Sequence, residues 1–314
     1  MTQRERQILQ WIEQDPMISQ EALAEKAGIT RSSVAVHISN LIKKGYIIGK
    51  GYVLRSGTYA AVVGGVNMDI GGQSDGPLVP GDSNPGRVWI SLGGVGRNIA
   101  HNMALLGLDV RFLTAFGDDL YAQRIAASCG ELGIDISQAL RVPGGSTSTY
   151  LYLNGPDGDM ALAVSDMDIC RKMTPQFLAS RLTLLKGAQL IVADANLPAE
   201  SRRFLADHGA APLFVDPVST VKAEKLRPIL GKIHTLKPNR MEAELLSGVA
   251  ITNEESLRQA AQVLLDTGLR RVFISLGSRG LFAADHRESL LLPCRPAAPV
   301  NATGAGDASI AGLA

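Results

Sequence analysis

The sequence predicts an α/β protein with a mostly parallel sheet flanked by helices, preceded by a small helical module. Two observations carry this prediction. From residue 58 onward, short apolar runs alternate with helical stretches, as in parallel sheets that are covered on both faces. Residues 1–55 show helical periodicity instead, and their eight Lys/Arg against five Asp/Glu give a local charge of +3. We therefore expect two domains, 1–55 and 58–314, joined by a short linker.

The composition excludes several protein classes. The 314 residues are 46% hydrophobic and 19% charged, with a net charge of +1, which is typical of a globular protein without polybasic or polyacidic character. No apolar run reaches the ~20 residues of a membrane span, and the first ten residues lack the apolar segment of a signal peptide. We expect a cytoplasmic protein with no membrane partner. Cys129, Cys170 and Cys294 form no CxxC pair, so reduced thiols are expected rather than disulfides or a zinc site.

Three helices are predicted in the N-terminal module. The first spans 5–14, and the second spans 20–27 between an N-cap at Ser19 and a stop at Gly28. Thr30 can cap the third. Four residues at helical spacing are predicted to form its apolar face: Val34, Ile38, Leu41 and Ile42.

The stretch YIIGKGYVL alternates around residues 49–51 and predicts a hairpin after the third helix. Three helices and a hairpin resemble a winged helix-turn-helix of bacterial regulators, and ALAEKAGITRSSVAVHISNLIKKGYI carries this resemblance. The resemblance implies that the third helix enters a major groove of DNA. The side chains expected to contact DNA are Arg31, Asn40, Lys43, Lys44 and Lys50. The alternative interpretation is a solvated helix in a module that serves only dimerisation or docking.

Six apolar runs predict the strands of the larger domain. They are AAVVGGV (60–66), DVRFLTAF (109–116), AQLIVADAN (188–196), APLFVDPVS (211–219), HTLKPN (234–239) and RRVFISLGS (270–278). Helices are predicted at 97–107 and 255–268. The runs at 86–92 and 148–164, the second split by the turn NGPDGD, do not fit the alternation, and we expect them in a separate small sheet.

Polar residues are expected just past the strand ends, where ligands of open α/β sheets bind. They are Asn67, Asp69, Gly117, Asp118, Asp194, Asn196, Asp216 and Asn239. This clustering favours a small-molecule enzyme. The sequence contains no GxxxxGK[ST], GxGxxG, HExxH, HRD or GxSxG motif, so several common classes of active site are excluded.

The last residues, NATGAGDASIAGLA, give the strongest catalytic signal. Gly304, Ala305 and Gly306 lead into a helix, and backbone N–H groups at a helix N-terminus bind anions. Asp307 in the first turn is placed to accept a proton from a hydroxyl nucleophile. Taken alone, the motif is equally compatible with a glycine cap followed by an acidic N-cap.

Five motifs in order, GGVGRNIAHNMALLG, GDD (117–119), KPNRMEAELLSG, SLGSRG and NATGAGD, resemble the ribokinase or PfkB family of sugar and nucleoside kinases across residues 58–314. Within that family, DSNPG, GGVGRNIA, DPVS and KPNRMEAE are most similar to the pseudouridine kinases. The resemblance implies a ribokinase-like fold with a small β lid. It also implies ATP-dependent phosphorylation of a sugar or nucleoside hydroxyl, with pseudouridine or a related nucleoside as the expected substrate. The alternative is a DNA-binding regulator whose kinase-like domain senses a nucleoside or sugar.

The resemblance also implies roles for individual residues. Asp307 matches the catalytic base, and the anion hole matches Gly304, Ala305 and Gly306. Substrate binding is assigned to Asn67, Asp69, Gly93, Gly94 and Asn98. ATP binding is assigned to Asn239, Ser275, Gly277, Ser278 and Gly280, and Glu242 is expected to order water around Mg²⁺.

Two features depart from the family pattern. Asn301 stands where the family commonly has Asp, which leaves activation by a monovalent cation open. The chain stops seven residues after Asp307, whereas relatives continue, so a truncated and impaired kinase is expected. A homodimer is the expected assembly.

Overall fold

The computed structural model describes residues 1–47, 58–294 and 304–314. By its internal contacts the chain divides into two compact units, Met1–Gly57 and Thr58–Ala314. The hairpin predicted around residues 49–51, together with Lys50 and Asn301, lies outside the described residues. Among the described residues, no helix is long and apolar enough to cross a membrane.

The first unit is a three-helix module. Its helices are α1 (Gln3–Gln14), α2 (Gln20–Ala27) and α3 (Arg31–Lys43). Ser19 and Thr30 cap α2 and α3 through hydrogen bonds from the backbone N–H three residues on, and Gly28 ends α2 with φ 62°. The helices bury a common core of Ile8, Ile12, Leu23, Val34, Ile38 and Leu41. The prediction for Ile42 is wrong: it is 51% exposed, because position i+8 lies at the rim of the stripe that i, i+4 and i+7 define.

The strands of the second unit form two main sheets and one short pair. In chain order they are β1 (Tyr59–Val63), β2 (Asn67–Ser74), β3 (Gly86–Gly93), β4 (Asp109–Leu113), β5 (Ala115–Phe116), β6 (Leu140–Arg141), β7 (Thr149–Asn154), β8 (Met160–Asp166), β9 (Leu190–Asp194), β10 (Leu213–Asp216), β11 (Thr235–Leu236), β12 (Arg271–Ser275), β13 (Leu281–Asp285) and β14 (Ser289–Leu292).

The larger sheet has the order β14-β13-β12-β11-β10-β9-β1-β4. Its strands are parallel from β4 to β12, as the sequence predicts, and β13 and β14 continue it as an antiparallel edge. Alternate residues of β1 enter two hydrophobic cores, Tyr59 and Val63 on one face and Ala60 and Val62 on the other. Both faces of the sheet are therefore buried.

Helices cover both faces of this sheet. They are α4 (Val95–Leu105), α5 (Leu120–Glu131), α6 (Pro175–Ala179), α7 (Leu182–Gly187), α8 (Ala199–His208), α9 (Thr220–Ala223), α10 (Arg240–Ser247), α11 (Glu254–Asp266) and α12 (Ala305–Leu313). Cys129 and Cys170 are buried and form no disulfide, whereas Cys294 is exposed.

The smaller sheet, which we call the lid sheet, has the order β3-β2-β7-β8. It confirms that the runs at 86–92 and 148–164 form a sheet of their own. One expectation about it needs correction: Asn67 and Asp69 follow β1, but they lie within the next strand, β2, and not in a loop. The chain leaves β1 at Val63 and enters the lid sheet after only three residues, so the polar pair belongs to the root of the lid.

Candidate active site

Buried polar residues meet at one edge of the larger sheet. Asp194 ends β9, Asp216 ends β10 and Lys237 directly follows β11, so the parallel topology brings them to the same edge. Asp307 lies in the first turn of α12. All four side chains are at least nine-tenths buried. Charged groups are rarely this buried unless they are paired or functional.

Asp307 carries a perturbed carboxylate. Its Oδ2 accepts a hydrogen bond of 2.9 Å from Asn98 Nδ2. Burial raises the pKa of Asp307 to about 6, and the nearby charges of Asp216 and Asp194 act in the same direction. The Asn98 hydrogen bond and the Lys237 ammonium oppose this shift. The group is thus ionised at neutral pH, yet basic enough to accept a proton.

Asp194 is a buried carboxylate of a different kind. Its Oδ2 accepts hydrogen bonds of 2.8 Å from the backbone N–H groups of Gly65 and Gly96, and its Oδ1 accepts one of 2.9 Å from Asn196 N. Burial raises its pKa, while the bonds from Gly65 and Asn196 oppose the rise. Asp194 therefore ties the turn after β1 to the start of α4, which is a structural role.

Asn196 lies next to this turn. Lys222 Nζ donates a hydrogen bond of 2.5 Å to Asn196 Oδ1, and the Asn196 side chain also hydrogen-bonds Asp194. A cavity of about 610 Å³ opens here, lined by Ser165 of the lid sheet and by Asn196 and Lys222.

Lys237 is a site residue that sequence reasoning missed. Its Nζ lies 3.3 Å from Asp216 Oδ2, and both side chains are nearly inaccessible to solvent. The same Nζ would lie 3.3 Å from a Cβ placed on Gly306, so the ammonium stands beside the start of α12. The available signal was a lysine immediately after a predicted strand in KPNRMEAE, the stretch in which the family resemblance assigns roles to Asn239 and Glu242.

The glycine-rich turn that was predicted to bind an anion lies at the N-terminus of α12. Gly304 occupies the N-cap with φ 80°, and no side chain of the described residues caps the helix. The backbone N–H groups of Ala305 and Gly306 belong to the orphan donors of the first turn. These amides, together with the Lys237 ammonium, form a positively charged corner.

The predicted substrate residues cluster at the root of the lid sheet. Asn67 Nδ2 donates a hydrogen bond of 2.5 Å to Asp69 Oδ1, and burial raises the pKa of Asp69. A Cβ on Gly93 would lie 2.2 Å from Asp69 Oδ2, so this position has room only for glycine. Gly94 adopts φ 98° as it begins α4, and Asn98 one turn later reaches Asp307. Helix α4 thus links the lid root to the carboxylate.

The predicted ATP-binding residues lie on the far side of Lys237. Asn239 caps α10 in a reciprocal pair: Glu242 N donates to Asn239 Oδ1 at 2.9 Å, and Asn239 N donates to Glu242 Oε2 at 2.8 Å. Asn239 forms a parallel bridge to Ser275, the last residue of β12. Ser278 follows in a 3₁₀ turn, Gly277–Arg279. The flanking glycines, Gly277 and Gly280, have φ 61° and 100°.

A divalent cation fits the acidic groups here only with help from other ligands. Among the described residues, no group of three or more His, Cys, Asp or Glu could hold a metal ion. Burial, and to a smaller extent the charge of Asp216, raise the pKa of Glu242, while the Asn239 N–H and Lys237 lower it. Mg²⁺ suits this arrangement because it keeps several waters and takes few protein carboxylates.

Gly117 and Asp118 do not join this site. They lie in the turn before α5, where Gly117 N donates to Thr147 Oγ1 at 3.1 Å and Asp118 Oδ2 accepts from Gly144 N at 3.0 Å. Their contacts join two loops.

The predicted DNA-contacting residues of the first unit have different surroundings. Arg31 forms an exposed ion pair of 3.2 Å with Glu21. Lys43 is exposed, and Asn40 is half-buried. Lys44 Nζ instead lies 2.7 Å from an oxygen of Glu5, which is itself buried, so its charge is compensated within the unit.

Comparison with known proteins identifies both units. Residues 58–314 match the profile described as "pfkB family carbohydrate kinase". The chain belongs to the pfkB family of carbohydrate kinases. Residues 1–48 match the profile "Winged helix-turn-helix DNA-binding". The resemblance to PfkB kinases and to a winged helix-turn-helix, and the ribokinase-like fold class, are confirmed.

Several relatives of this pfkB kinase are themselves described as kinases. The chain is 40% identical over 317 residues to the "Uncharacterized sugar kinase YeiI" of Escherichia coli, covering 100% of this chain and 87% of that protein. It is 41% identical over 263 residues to the "Pseudouridine kinase" of E. coli, covering 83% of this chain and 84% of that protein. The crystal structure of a putative sugar kinase from Clostridium perfringens superposes with a TM-score of 0.73 at 34% identity, covering 82% of each chain.

Proposed function

We propose that the second unit transfers the γ-phosphoryl group of ATP to a hydroxyl of a nucleoside, and that pseudouridine is its substrate. The observation that carries this proposal is the setting of Asp307, a buried carboxylate with a pKa of about 6 beside an uncapped helix N-terminus and a buried lysine. The 41% identical pseudouridine kinase supports the choice of substrate.

Asp307 is the proposed base. Asn98 holds Oδ2, and no other hydrogen bond to the carboxylate is present among the described residues, so Oδ1 can accept the proton of the substrate hydroxyl. A pKa near the operating pH favours such a transfer. The amides at the start of α12 and the Lys237 ammonium stabilise negative charge on the phosphoryl oxygens.

The remaining groups position the two ligands. Asn67 and Asp69 bind the ribose hydroxyls at the lid root, next to the hinge at Gly93 and Gly94. The loop from Ser275 to Gly280, including Ser278, binds ATP together with Asn239. When bound, Mg²⁺ neutralises charge on the phosphates, and Glu242 with Asp216 would hold it through water.

The direct test is product formation. The full-length protein is incubated with Mg·ATP and pseudouridine, uridine or ribose in turn, and phosphorylated products are detected by mass spectrometry. We expect the 5′-phosphate of pseudouridine from the wild type and at most traces from Asp307→Asn. The absence of product from all three substrates would reject the proposal.

A second function is favoured by the winged helix-turn-helix match and the outer face of α3. We propose that this face binds DNA, with Lys43 on phosphates and with Arg31 and Asn40 nearer the bases. Because the module is only mildly basic, binding requires a homodimer that presents two α3 helices. Kinase-unit ligands would then regulate this dimer.

Salt-dependent gel shifts test this second function. Lys43→Ala should weaken binding to all sequences and flatten the salt slope by about one unit, since each phosphate contact contributes about −0.9. Lys44→Ala is the matched control: its charge is already compensated by Glu5, so the slope should change less. Equal slopes for Lys43→Ala and wild type would contradict the assignment. If the folded module gives no gel shift with DNA at low salt, it does not bind DNA and serves only docking.

A further inference from the structure

Three aromatic side chains share one face of the lid sheet with Asp69. In the strand register, Asp69 lies opposite Ser91 of β3 and Tyr150 of β7. Two residues further out on the same face, Gly71 lies opposite Trp89 and Tyr152. Since alternate residues of a strand share a face, Asp69 and these aromatic residues point to the same side. Trp89 is thus displaced from the Asp69 position by two residues, or about 7 Å.

The Trp89 indole is packed in one orientation on this face. A Cβ at Gly71 would lie 2.3–2.5 Å from three atoms of the indole ring, so the ring lies over the glycine. Its Nε1 donates a hydrogen bond of 3.0 Å to the Tyr152 hydroxyl, and the two rings meet edge to face at a centroid distance of 5.9 Å. Tyr150 packs beside Tyr152 at 5.8 Å. The indole is therefore held in place before any ligand arrives.

The opposite face of the same sheet has a different chemistry. Its exposed apolar side chains are aliphatic: Val88, Ile90, Leu151, Leu153, Leu162 and Val164. Rings are confined to the face of Asp69, where Trp89 remains 36% exposed. An oriented, exposed ring about 7 Å beyond the group that binds the sugar hydroxyls can stack on a second, flat ring of the same ligand, as aromatic pairs do.

We propose that Trp89, seated on Gly71 and supported by Tyr152 and Tyr150, forms a platform on which the base of a nucleoside substrate stacks while Asp69 holds its ribose. The spacing of about 7 Å along the strand separates the sugar position from the base position. This inference rests on the proposed kinase function and adds to it the residues that recognise the base: nucleosides are favoured over free pentoses because only nucleosides reach the platform.

Fluorescence tests the platform without phosphoryl transfer. The chain has two tryptophans, so Trp11→Phe leaves Trp89 as the only indole. Titration of this variant with pseudouridine in the absence of ATP should give saturable quenching, and ribose should give none. Unchanged emission with pseudouridine, or equal changes with both ligands, would overturn the proposal. The outcome does not depend on whether the chain phosphorylates anything.

Steady-state kinetics test the same residue in the reaction. Trp89→Ala should raise KM for pseudouridine by about tenfold, as expected for the loss of one aromatic–base stack, with KM for ATP unchanged. Trp89→Phe should restore most of the loss. The matched control is Ile90→Ala, on the opposite face of the same strand, which should leave both KM values unchanged. If the wild type phosphorylates pseudouridine and Trp89→Ala has the same KM for it, the platform is rejected and the proposed function stands.

Discussion

Asp194 and Asp307 are both buried carboxylates at one edge of the larger sheet, but their hydrogen bonds differ. Asp194 accepts three bonds from backbone N–H groups. Asp307 accepts one, from the side chain of Asn98. The backbone bonds commit Asp194 to holding two chain segments together, whereas Asp307 retains acceptor capacity for a proton. The number and type of donors, rather than burial, separate the structural acid from the proposed base.

The largest expected effect concerns the chemistry of Asp307. Asp307→Asn should lower kcat by about 10²–10⁴-fold, because an amide cannot accept the proton of the substrate hydroxyl. Steady-state kinetics with the phosphorylated substrate measure this loss, and circular dichroism confirms that the variant is folded. A kcat within tenfold of the wild type would remove Asp307 from the base role.

The next effect concerns the stability that Asp194 provides. In Asp194→Asn, an NH₂ group must face at least one of the three backbone donors, and that donor stays buried and unpaired. We expect the free energy of unfolding to fall by about 3 kcal/mol. Urea denaturation at pH 7 measures it. If the midpoint does not change, the three bonds to Asp194 do not hold the turn to α4.

Asp307→Asn should change stability in the opposite direction. Because the folded pKa of about 6 exceeds the usual value, folding favours the protonated group, and this contribution is lost as the pH rises through about 6. Removing the charge should therefore stabilise the variant by on the order of 2 kcal/mol at pH 8. The gain should be much smaller near pH 4, close to the unfolded pKa of 3.8, because the folded carboxyl is already protonated there. Urea melts at the two pH values compare them. A gain of equal size at both would exclude a charge effect.

The smallest expected effect is a shift in the pH profile caused by Lys237, which is separate from the loss of kcat expected when its charge leaves the phosphoryl group. In the wild type, kcat/KM should fall as the pH drops through about 6, because the base becomes protonated. Lys237 opposes the raised pKa of Asp307, so Lys237→Met should move this midpoint upward by about one unit. The control is the double variant Lys237→Met/Asp216→Asn, which removes both charges of the ion pair and should return the midpoint toward the wild type. Identical pH profiles for Lys237→Met and wild type would place the ammonium outside the field of Asp307.

The sequence predicted the strands, helix caps and turns that depend on residues close together in the chain. The apolar runs of β1, β9 and β10 have no alternation because both faces of the sheet are covered, and Ser19 and Thr30 cap helices through bonds to the next turn. The turn NGPDGD separates β7 from β8 as expected. The β13–β14 hairpin was not predicted, since it extends the parallel sheet as an edge where the alternation with helices ends.

The site was predicted less completely, because its groups come together from distant parts of the chain. Lys237 forms an ion pair with Asp216 and lies beside Gly306, which follows it by 69 residues in the chain. The Lys44–Glu5 ion pair spans 39 residues, so sequence alone presented Lys44 as available for DNA. Glu242 was expected only at a metal site, but its reciprocal hydrogen bonds with Asn239 also cap α10.

The contact of Gly64, Gly96 and Asp194 limits how this sequence can evolve. A Cβ at Gly64 would lie 2.4 Å from Asp194 Oδ2, and one at Gly96 would lie 2.8 Å from the Gly64 backbone. Neither glycine can acquire a side chain while the other two partners keep their places, and a larger acid at 194 has no space to occupy. The three positions therefore constrain one another, and a side chain added at Gly64 or Gly96 should destabilise the fold unless a partner position changes as well. Random mutagenesis under selection for folding should return this trio unchanged while neighbouring surface positions drift.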